Sequence, residues 1–419
     1  MAAEEASDDG AKSAGFRIEA GRLQVTLPTC LQPITNAGDA AAIDDVLSLF
    51  RVLRRYRFDR ENERSTTARD RRGSATPADV RVGADAGELH WLECALELFD
   101  DYRDHGLLRY DRRVISRSRP GRIDWRTTIR RETPCLSGQD AVYIAPFRRS
   151  LEAHQDHALT LLHALAIREI SDRLGLGAPL DASVGRASSG AIEPWRALGV
   201  LRRERSHLFR DRDRHVVRLL ERYWTAEPLG RNVVDTGPRD LLWTDRFENV
   251  WERMTRTVLV GSRPEGITTR IARGEYQENG RPAGSGLDLR PDFIVRVGPT
   301  TSIVFDAKYY TTAKLPGSAD VLKQLAYCYF ASASWDESRP TRLLNVFLLP
   351  TTNPREVIAL TGQHNLLNLT ERQRSLPLAG DIWIFRLDYR SVARAYLSRV
   401  TWPPSQFAAA IDQELGAPH

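Results

Sequence analysis

Two aspartates and a lysine in the stretch Arg290-Pro-Asp-Phe-Ile-Val-Arg-Val-Gly-Pro-Thr-Thr-Ser-Ile-Val-Phe-Asp-Ala-Lys-Tyr-Tyr310 have the types and spacing to do chemistry together. The stretch reads as a strand, a tight turn at Gly298-Pro299-Thr300, and a second strand. Folded there, residue 292 falls across from residue 307 or 308, which sets Asp292 beside Asp306 and Lys308. Asp306 and Lys308 lie two apart on one strand and share a face, while Phe305 and Ala307 point into the packing layer. Neighbouring carboxylates repel and resist burial unless a cation neutralises them. Oxygen donors of this kind suit Mg²⁺ or Mn²⁺ rather than zinc. Asp292 and Asp306 would hold the ion, with the Ala307 carbonyl as a further ligand, and the ion would activate water and draw in a phosphate. Lys308 would orient or deprotonate that water or steady the developing charge. The expected reaction is metal-dependent phosphodiester hydrolysis. The competing reading is a surface hairpin in which Lys308 simply pairs with the two aspartates.

Helices on either side must complete such a site. In Phe247-Glu-Asn-Val-Trp-Glu-Arg-Met254, the apolar stripe runs through Phe247, Val250, Trp251, Met254 and Val258. Glu248 and Glu252 lie one turn apart. Glu252, beside Trp251, is the expected metal-facing acid, with Glu248 in reserve; solvent-facing helix charge is the alternative for both. After the hairpin, a helix opening near Ser318 and Asp320 carries Lys323 and Gln324 toward the same place if it packs over the sheet. Gln324 could then bond a metal-bound water or a phosphate oxygen, and Tyr327, nearly a turn on, could brace it.

The wider pattern is α/β. Two short strands meet at Ala20-Gly21, a helix covers 41–58, and a polar, arginine-rich loop follows from Asp59 to Asp79. Helices are expected over 89–102, 151–174 and 201–225, with a strand at 141–144 and a linker from Ser183. A boundary falls at 225–240. Beyond it come a helix (245–260), strands (290–297, 301–310), a helix (318–332), strands (343–349, 381–387) and two closing helices. Residues 1–15 read as a disordered lead-in, 16–235 as a mixed α+β region for partner or DNA, and 236–419 as the catalytic domain. Arg202–Arg222 holds eight arginines against four acidic residues; Arg202, Arg203, Arg210 and Arg214 there, with Lys323, are candidate DNA contacts. A solvated helix face laced with ion pairs is the alternative. The net charge of +5 leans toward anionic partners, and no apolar run is long enough to span a membrane. Cys30, Cys94, Cys135 and Cys328 are too dispersed for a zinc module or disulfide framework, so buried thiols in a reducing cytoplasm are expected. No GxxxxGK[ST] loop is present.

Pro291-Asp292 followed by Asp306-Ala307-Lys308 resembles the PD-(D/E)xK nuclease superfamily, and Lys323-Gln324-Leu325-Ala326-Tyr327 resembles its following helix. FENVWERM, RPDFIV, FDAKYY and DVLKQLAY together look like the McrC-like and LlaJI-like restriction subunits, and Gly121-Arg-Ile-Asp-Trp125 with Arg126-Thr-Thr-Ile129 resembles a motif in their N-terminal half. The resemblance implies a restriction-endonuclease-like core, a central mixed sheet flanked by helices, that cuts double-stranded DNA. It assigns Asp292, Asp306 and Lys308 to the catalytic places, Glu252 to the helix acid, and Gln324 to the site. It further implies an N-terminal region that engages a separate AAA+ GTPase, in a restriction or phage-defence system that can also include a DNA methyltransferase. The same core serves DNA repair and transposition nucleases, and a catalytically silent scaffold for an AAA+ motor would keep the fold.

Overall fold

The computed structural model describes residues 12–19, 22–31, 40–67, 80–82, 86–137, 140–154, 157–174, 192–226, 239–261, 272–278, 281–310, 314–333, 342–352, 356–364 and 381–416. The chain divides into two compact units, one built from Met1–Ala84 together with Asp235–His419, the other from Asp85–Val234. Residues 16–84, expected with the N-terminal region, fall in the unit that contains the hairpin. Of the expected lead-in, residues 1–11 lie outside the described residues, and a strand starts at Ala14.

The first unit opens with β1 (Ala14–Glu19) and β2 (Arg22–Thr26), paired antiparallel as expected. α1 (Ala40–Thr67) buries Ile43, Leu47, Phe50 and Leu53 on one face. It continues past residue 58 into the stretch expected to be a loop, where Arg57 and Glu61 pair at 2.7 Å one turn apart and support helix. β3 (Arg81–Val82) follows.

The second unit holds α2 (Ala86–His105), β4 (Asp111–Ser116), β5 (Arg122–Ile123), α3 (Trp125–Arg131), β6 (Cys135–Ser137), β7 (Asp140–Val142), β8 (Arg148–Ala153), α4 (Ala158–Leu174), α5 (Pro194–Glu204) and α6 (Asp211–Thr225). The helix expected from residue 151 starts only at Ala158, where the buried apolar spacing Leu159, Leu162, Ala166, Ile170 begins. Residues 148–153 pair with β4 instead, Asp111 opposite Ala153. The arginine-rich 201–225 segment is not one helix: a 3₁₀ turn at Arg205–His207 separates α5 from α6, whose first turn carries Asp211 and Asp213, as suits a helix N-terminus. Trp91 of α2 meets Tyr223 of α6 at 5.4 Å between ring centres.

The chain then returns to the first unit with β9 (Arg239–Thr244), α7 (Phe247–Val260), β10 (Ala272–Glu278), β11 (Arg281–Leu289), β12 (Phe293–Val297), β13 (Thr301–Ala307), α8 (Ser318–Ala333), β14 (Arg342–Thr351), β15 (Ile358–His364), β16 (Ile382–Asp388), α9 (Tyr389–Ser398) and α10 (Ser405–Gly416). Of these, β9, β10, β11 and β15 were not anticipated. A mixed sheet runs β12-β13-β14-β16-β15, with β13, β14 and β16 mutually parallel. β14 is buried from Leu344 to Thr351, as a central parallel strand with both faces covered must be. On one face, Val321, Leu325 and Cys328 of α8 pack against Phe347, Ile382, Ile384 and Val304. On the other, Phe407 of α10 meets Phe305 and Phe385 at 5.2 and 4.9 Å, and Trp251 of α7 stacks on Tyr389. This is the expected α/β class, a mixed sheet between helices preceded in sequence by a mixed α+β region.

The early residues join this unit by specific contacts. β1 lies against β9, where Gly15 adopts φ +142 and a Cβ would stand 2.3 Å from the Leu242 carbonyl oxygen. Only glycine permits that approach. Asp45 of α1, buried, receives both the Nε and an Nη of Arg390 at 2.8 Å, and Arg253 of α7 bridges to Glu63 of α1 at 2.6 Å.

Candidate active site

The site is assembled at the end of the β12–β13 hairpin. Val297 pairs with Thr301 and Phe293 with Phe305 across a turn in which Gly298 takes φ +66. That three-residue turn carries the register on to Asp292 and Asp306, one step short of the partner expected for residue 292. The difference is small but chemically visible: Asp292 Oδ2 accepts the Ala307 backbone N–H at 2.6 Å, so Ala307 lies between the two acids. Asp306, 4% exposed, pairs with Lys308 Nζ at 2.9 Å. Lys308 reaches Asp320, in the first turn of α8, at 3.2 Å.

Electrostatics tie in the third acid. Burial, then the charges of Asp306 and Glu252, push the Asp292 carboxyl well above the ordinary carboxylate range, against the pull of the Ala307 amide. Burial raises Asp306 too, with Lys308 opposing it. Glu252 is raised by burial and by the field of Asp306, with Arg256 and Arg60 holding it down. Lys308 loses hydration, yet the carboxylates of Asp306, Asp320 and Asp292 outweigh that loss and raise it further. Tyr327 is pushed up to about 12 by burial and then by Asp306 and Asp292. The structure therefore brings together Asp292, Asp306, Lys308 and Glu252, with Tyr327 beside them. Glu248 lies outside this group and is bonded by Arg246 Nε at 3.5 Å.

Helix α8 contributes unevenly. Lys323 is exposed, and its charge is felt at Asp306. Gln324 is fully buried, its Nε2 donating to the strand carbonyls of Val304 at 3.2 Å and Val346 at 3.4 Å; Oε1 has no partner among the described residues. Its nitrogen thus fastens helix to sheet, a role that the expected site-facing placement did not include. Asp320 was not singled out beforehand. It accepts from the Tyr310 hydroxyl at 2.5 Å and from Lys308, which hold its carboxyl below the ordinary range despite partial burial. Its position three residues from Lys323 in a first helical turn was the available signal.

Among the described residues, no three His, Cys, Asp or Glu side chains are arranged so as to hold a metal ion as they stand. One oxygen of Asp306 is turned to Lys308 and one of Asp292 to the Ala307 amide. Each carboxylate has a second oxygen. Three carboxylates whose proton affinity is raised, first by burial, are oxygen donors of the type that suits a hard divalent cation.

The description "LlaJI restriction endonuclease" matches residues 75–377, well over half of the chain. The chain belongs to the LlaJI restriction endonuclease family. The family match takes in the hairpin, α7 and α8, together with the second unit. Among solved structures, the LlaJI-family chain is similar to the refined half-complex from a tetradecameric assembly of Thermococcus gammatolerans McrB AAA+ hexamers with bound McrC, at 15% identity and a TM-score of 0.32, over 93% of this chain and 82% of that one. No protein of curated function matches it.

The remaining sequence candidates lie in the second unit. Arg202, Arg203, Arg210 and Arg214 are all exposed, and Arg214 Nε donates to the Leu208 carbonyl at 3.0 Å. In the motif at 121–129, Asp124 caps α3 through the Thr127 amide at 2.9 Å. The Arg149 guanidinium beside it, with that amide, brings its carboxyl down to about 2. Cys30, Cys94 and Cys328 are buried free thiols, as expected, whereas Cys135 is exposed. Among the described residues, no helix is long and apolar enough to cross a membrane.

Proposed function

We propose that this chain is the nuclease subunit of a restriction system, hydrolysing phosphodiester bonds of double-stranded DNA in the cytoplasm with Mg²⁺ or Mn²⁺. The observation that supports this reading most directly is the convergence of Asp292, Asp306, Glu252 and Lys308 at one end of the hairpin, in a chain of restriction-endonuclease family. Asp292, Asp306 and Glu252 are the side chains that would hold the cation, with the Ala307 carbonyl as a backbone candidate. Carboxylate-only donors favour Mg²⁺ or Mn²⁺ over zinc. When bound, the ion supplies positive charge to the scissile phosphate and makes a water more acidic.

The chain's own residues then have separate tasks. Lys308 keeps its proton, because three carboxylates surround it, and so it acts by steadying negative charge on the phosphate or by orienting water. Asp320 and Tyr310 fix where the Lys308 ammonium stands. Gln324 is a positioning residue that anchors α8 to β13 and β14, and the exposed Lys323 draws in the DNA backbone.

The chain has no phosphate loop, so movement along DNA is left to a separate AAA+ GTPase, as the likeness of residues 121–129 to restriction subunits implies. Apolar side chains left in water on the second unit, among them Leu136 and Ile144 at 79% exposed, offer a surface for such a partner. A DNA methyltransferase would complete the system.

The test is Asp306→Ala in the complex purified with its AAA+ partner, assayed for DNA cleavage with Mg²⁺. Cleavage should fall by roughly 10³-fold while the complex stays assembled. Undiminished cutting by the variant would remove the site from this part of the chain.

A further inference from the structure

The corner between α5 and α6 carries an arginine-lined trough that the acid site does not use. Arg205, in the 3₁₀ turn, faces Arg214 and Arg218 of α6 across a hollow of about 500 Å³, with Asp211 at its edge. Arg205 and Arg218 also line a second hollow of about 430 Å³ that runs on past Glu221 to Arg222 and His90. The two hollows share Arg205 and Arg218. Their arginines are loosely paired: Arg205 has Glu221 at 3.5 Å, and Arg214 has the fully exposed Asp211 at 3.5 Å. Among the described residues no carboxylate pairs with Arg218, whose Nε donates to the Arg214 carbonyl at 3.3 Å. Most of that guanidinium is left to a ligand. Guanidinium groups in a groove recognise phosphate by paired N–H donors.

The same corner presents an aromatic ring. Arg214 pins the Leu208 carbonyl, and the next residue, Phe209, stands 84% exposed. No other large apolar side chain among the described residues is as exposed. Its chain neighbour Arg210, like Arg202 and Arg203 of α5, is exposed. An exposed apolar ring next in the chain to an exposed arginine is poorly matched to an acidic protein surface, which would leave the ring against charge. A nucleobase, whose flat face stacks while its flanking phosphates meet arginine, satisfies both features.

We propose that this corner binds nucleic acid, with the phosphate backbone in the trough on Arg205 and Arg218 and an unpaired base stacked on Phe209. The inference rests on the nuclease reading only for expecting DNA as the polymer; binding is measured apart from cleavage. The full chain, in EDTA to prevent hydrolysis, is titrated against labelled single-stranded and duplex oligonucleotides by fluorescence anisotropy over a range of salt. Arg205→Ala with Arg218→Ala should weaken both about tenfold and flatten the plot of log affinity against log salt by about 1–2. Phe209→Ala should weaken the single strand about tenfold and the duplex much less, with an unchanged salt slope; Phe209→Trp should restore it. Phe209 is exposed, so its replacement leaves no cavity, and circular dichroism checks the arginine variant.

Wild-type affinity and salt slope in a folded Arg205/Arg218 variant would overturn the proposal. So would displacement of the oligonucleotide by micromolar GTP or inorganic phosphate, which would make the trough a small-anion pocket. The nuclease reading is judged separately by cleavage: if Asp306→Ala cleaves like the wild type, that reading fails while the trough is judged on binding alone.

Discussion

At the end of the β12–β13 hairpin, three carboxylates and an ammonium share a space from which water is largely withdrawn. Along α5 and α6 a larger number of charged groups lie in water, with pairs as loose as the 3.5 Å between Arg205 and Glu221. In the first region, each charge alters the proton affinity of the next: Asp292, Asp306 and Glu252 are all raised, and Lys308 is raised in response. In the second, solvent and salt screen the charges from one another. Burial, rather than the number of charges, couples ionisable residues to one another, whereas exposed charge suits attraction and grip.

The largest expected effect is that of Lys308→Met. If the buried ammonium stabilises charge at the phosphate, kcat should drop by roughly 10²–10⁴-fold, with DNA affinity in EDTA little changed. A matching loss of affinity would make Lys308 another gripping residue, like the arginines of the other unit.

Next in size is Asp45→Ala, which strands Arg390 beside α1. Because Asp45 is 2% exposed and doubly bonded, the variant should lose about 3–5 kcal/mol of unfolding free energy, at the lower end since the Arg390 side chain is 41% exposed. Urea melts of the full chain would show it. A neutral result would mean that α1 is an appendage to the first unit rather than part of it.

A smaller effect follows from the raised acids. The folded protein binds protons at Asp292, Asp306 and Glu252 more tightly than the unfolded chain does, so unfolding free energy falls as pH rises from the ordinary carboxylate range toward their folded values. In EDTA, Asp292→Asn should therefore raise the melting temperature at neutral pH by a few degrees, about 1 kcal/mol. Mg²⁺ should stabilise the wild type and leave the variant unmoved. Destabilisation by the substitution, or equal Mg²⁺ effects on both proteins, would contradict the repulsion on which the site depends.

Much of the β12–β13 hairpin and its flanking helices could be read from local pattern. Apolar strands on either side of Gly298-Pro299 announced the hairpin, and the stripe Phe247, Val250, Trp251, Met254 marked the buried face of α7. The turn lies at the three residues expected, Gly298-Pro299-Thr300; pairing Val297 with Thr301 across it sets residue 292 opposite 306, so the partner expected at 307 or 308 was a step too far along the strand. Gln324 shows a different limit. Helical spacing put it on the correct face of α8, but whether its amide meets a strand carbonyl or an open site depends on how deeply the helix sits. The composition of the first unit was illegible for a plainer reason: Gly15 against Trp243 and Asp45 against Arg390 are contacts between distant segments, and no local signal encodes them. β8 was misread as helix because one of its faces is left to solvent, so that Leu151, 70% exposed, looked like the start of the apolar run that in fact begins at Leu159.

The smallest expected effect belongs to Arg202 and Arg203, which are exposed and do not line the trough. Replacing both with alanine should leave stability within about 0.5 kcal/mol and kcat unchanged, since neither group lies in the catalytic unit. What should change is the rate of encounter. Unpaired surface charge attracts a polyanion over a distance set by the Debye length, about 10 Å at 0.1 M salt, so association with DNA at low salt should slow by roughly twofold and recover as salt rises. The dissociation rate should not move. Stopped-flow fluorescence separates the two rates, and the double Arg205/Arg218 variant is the contrast, because a phosphate released from a lined trough leaves faster at every salt concentration. If Arg202 and Arg203 changed the dissociation rate as strongly as the trough pair, the α5–α6 surface would be one continuous binding face, and the distinction between attraction and grip would not hold within it.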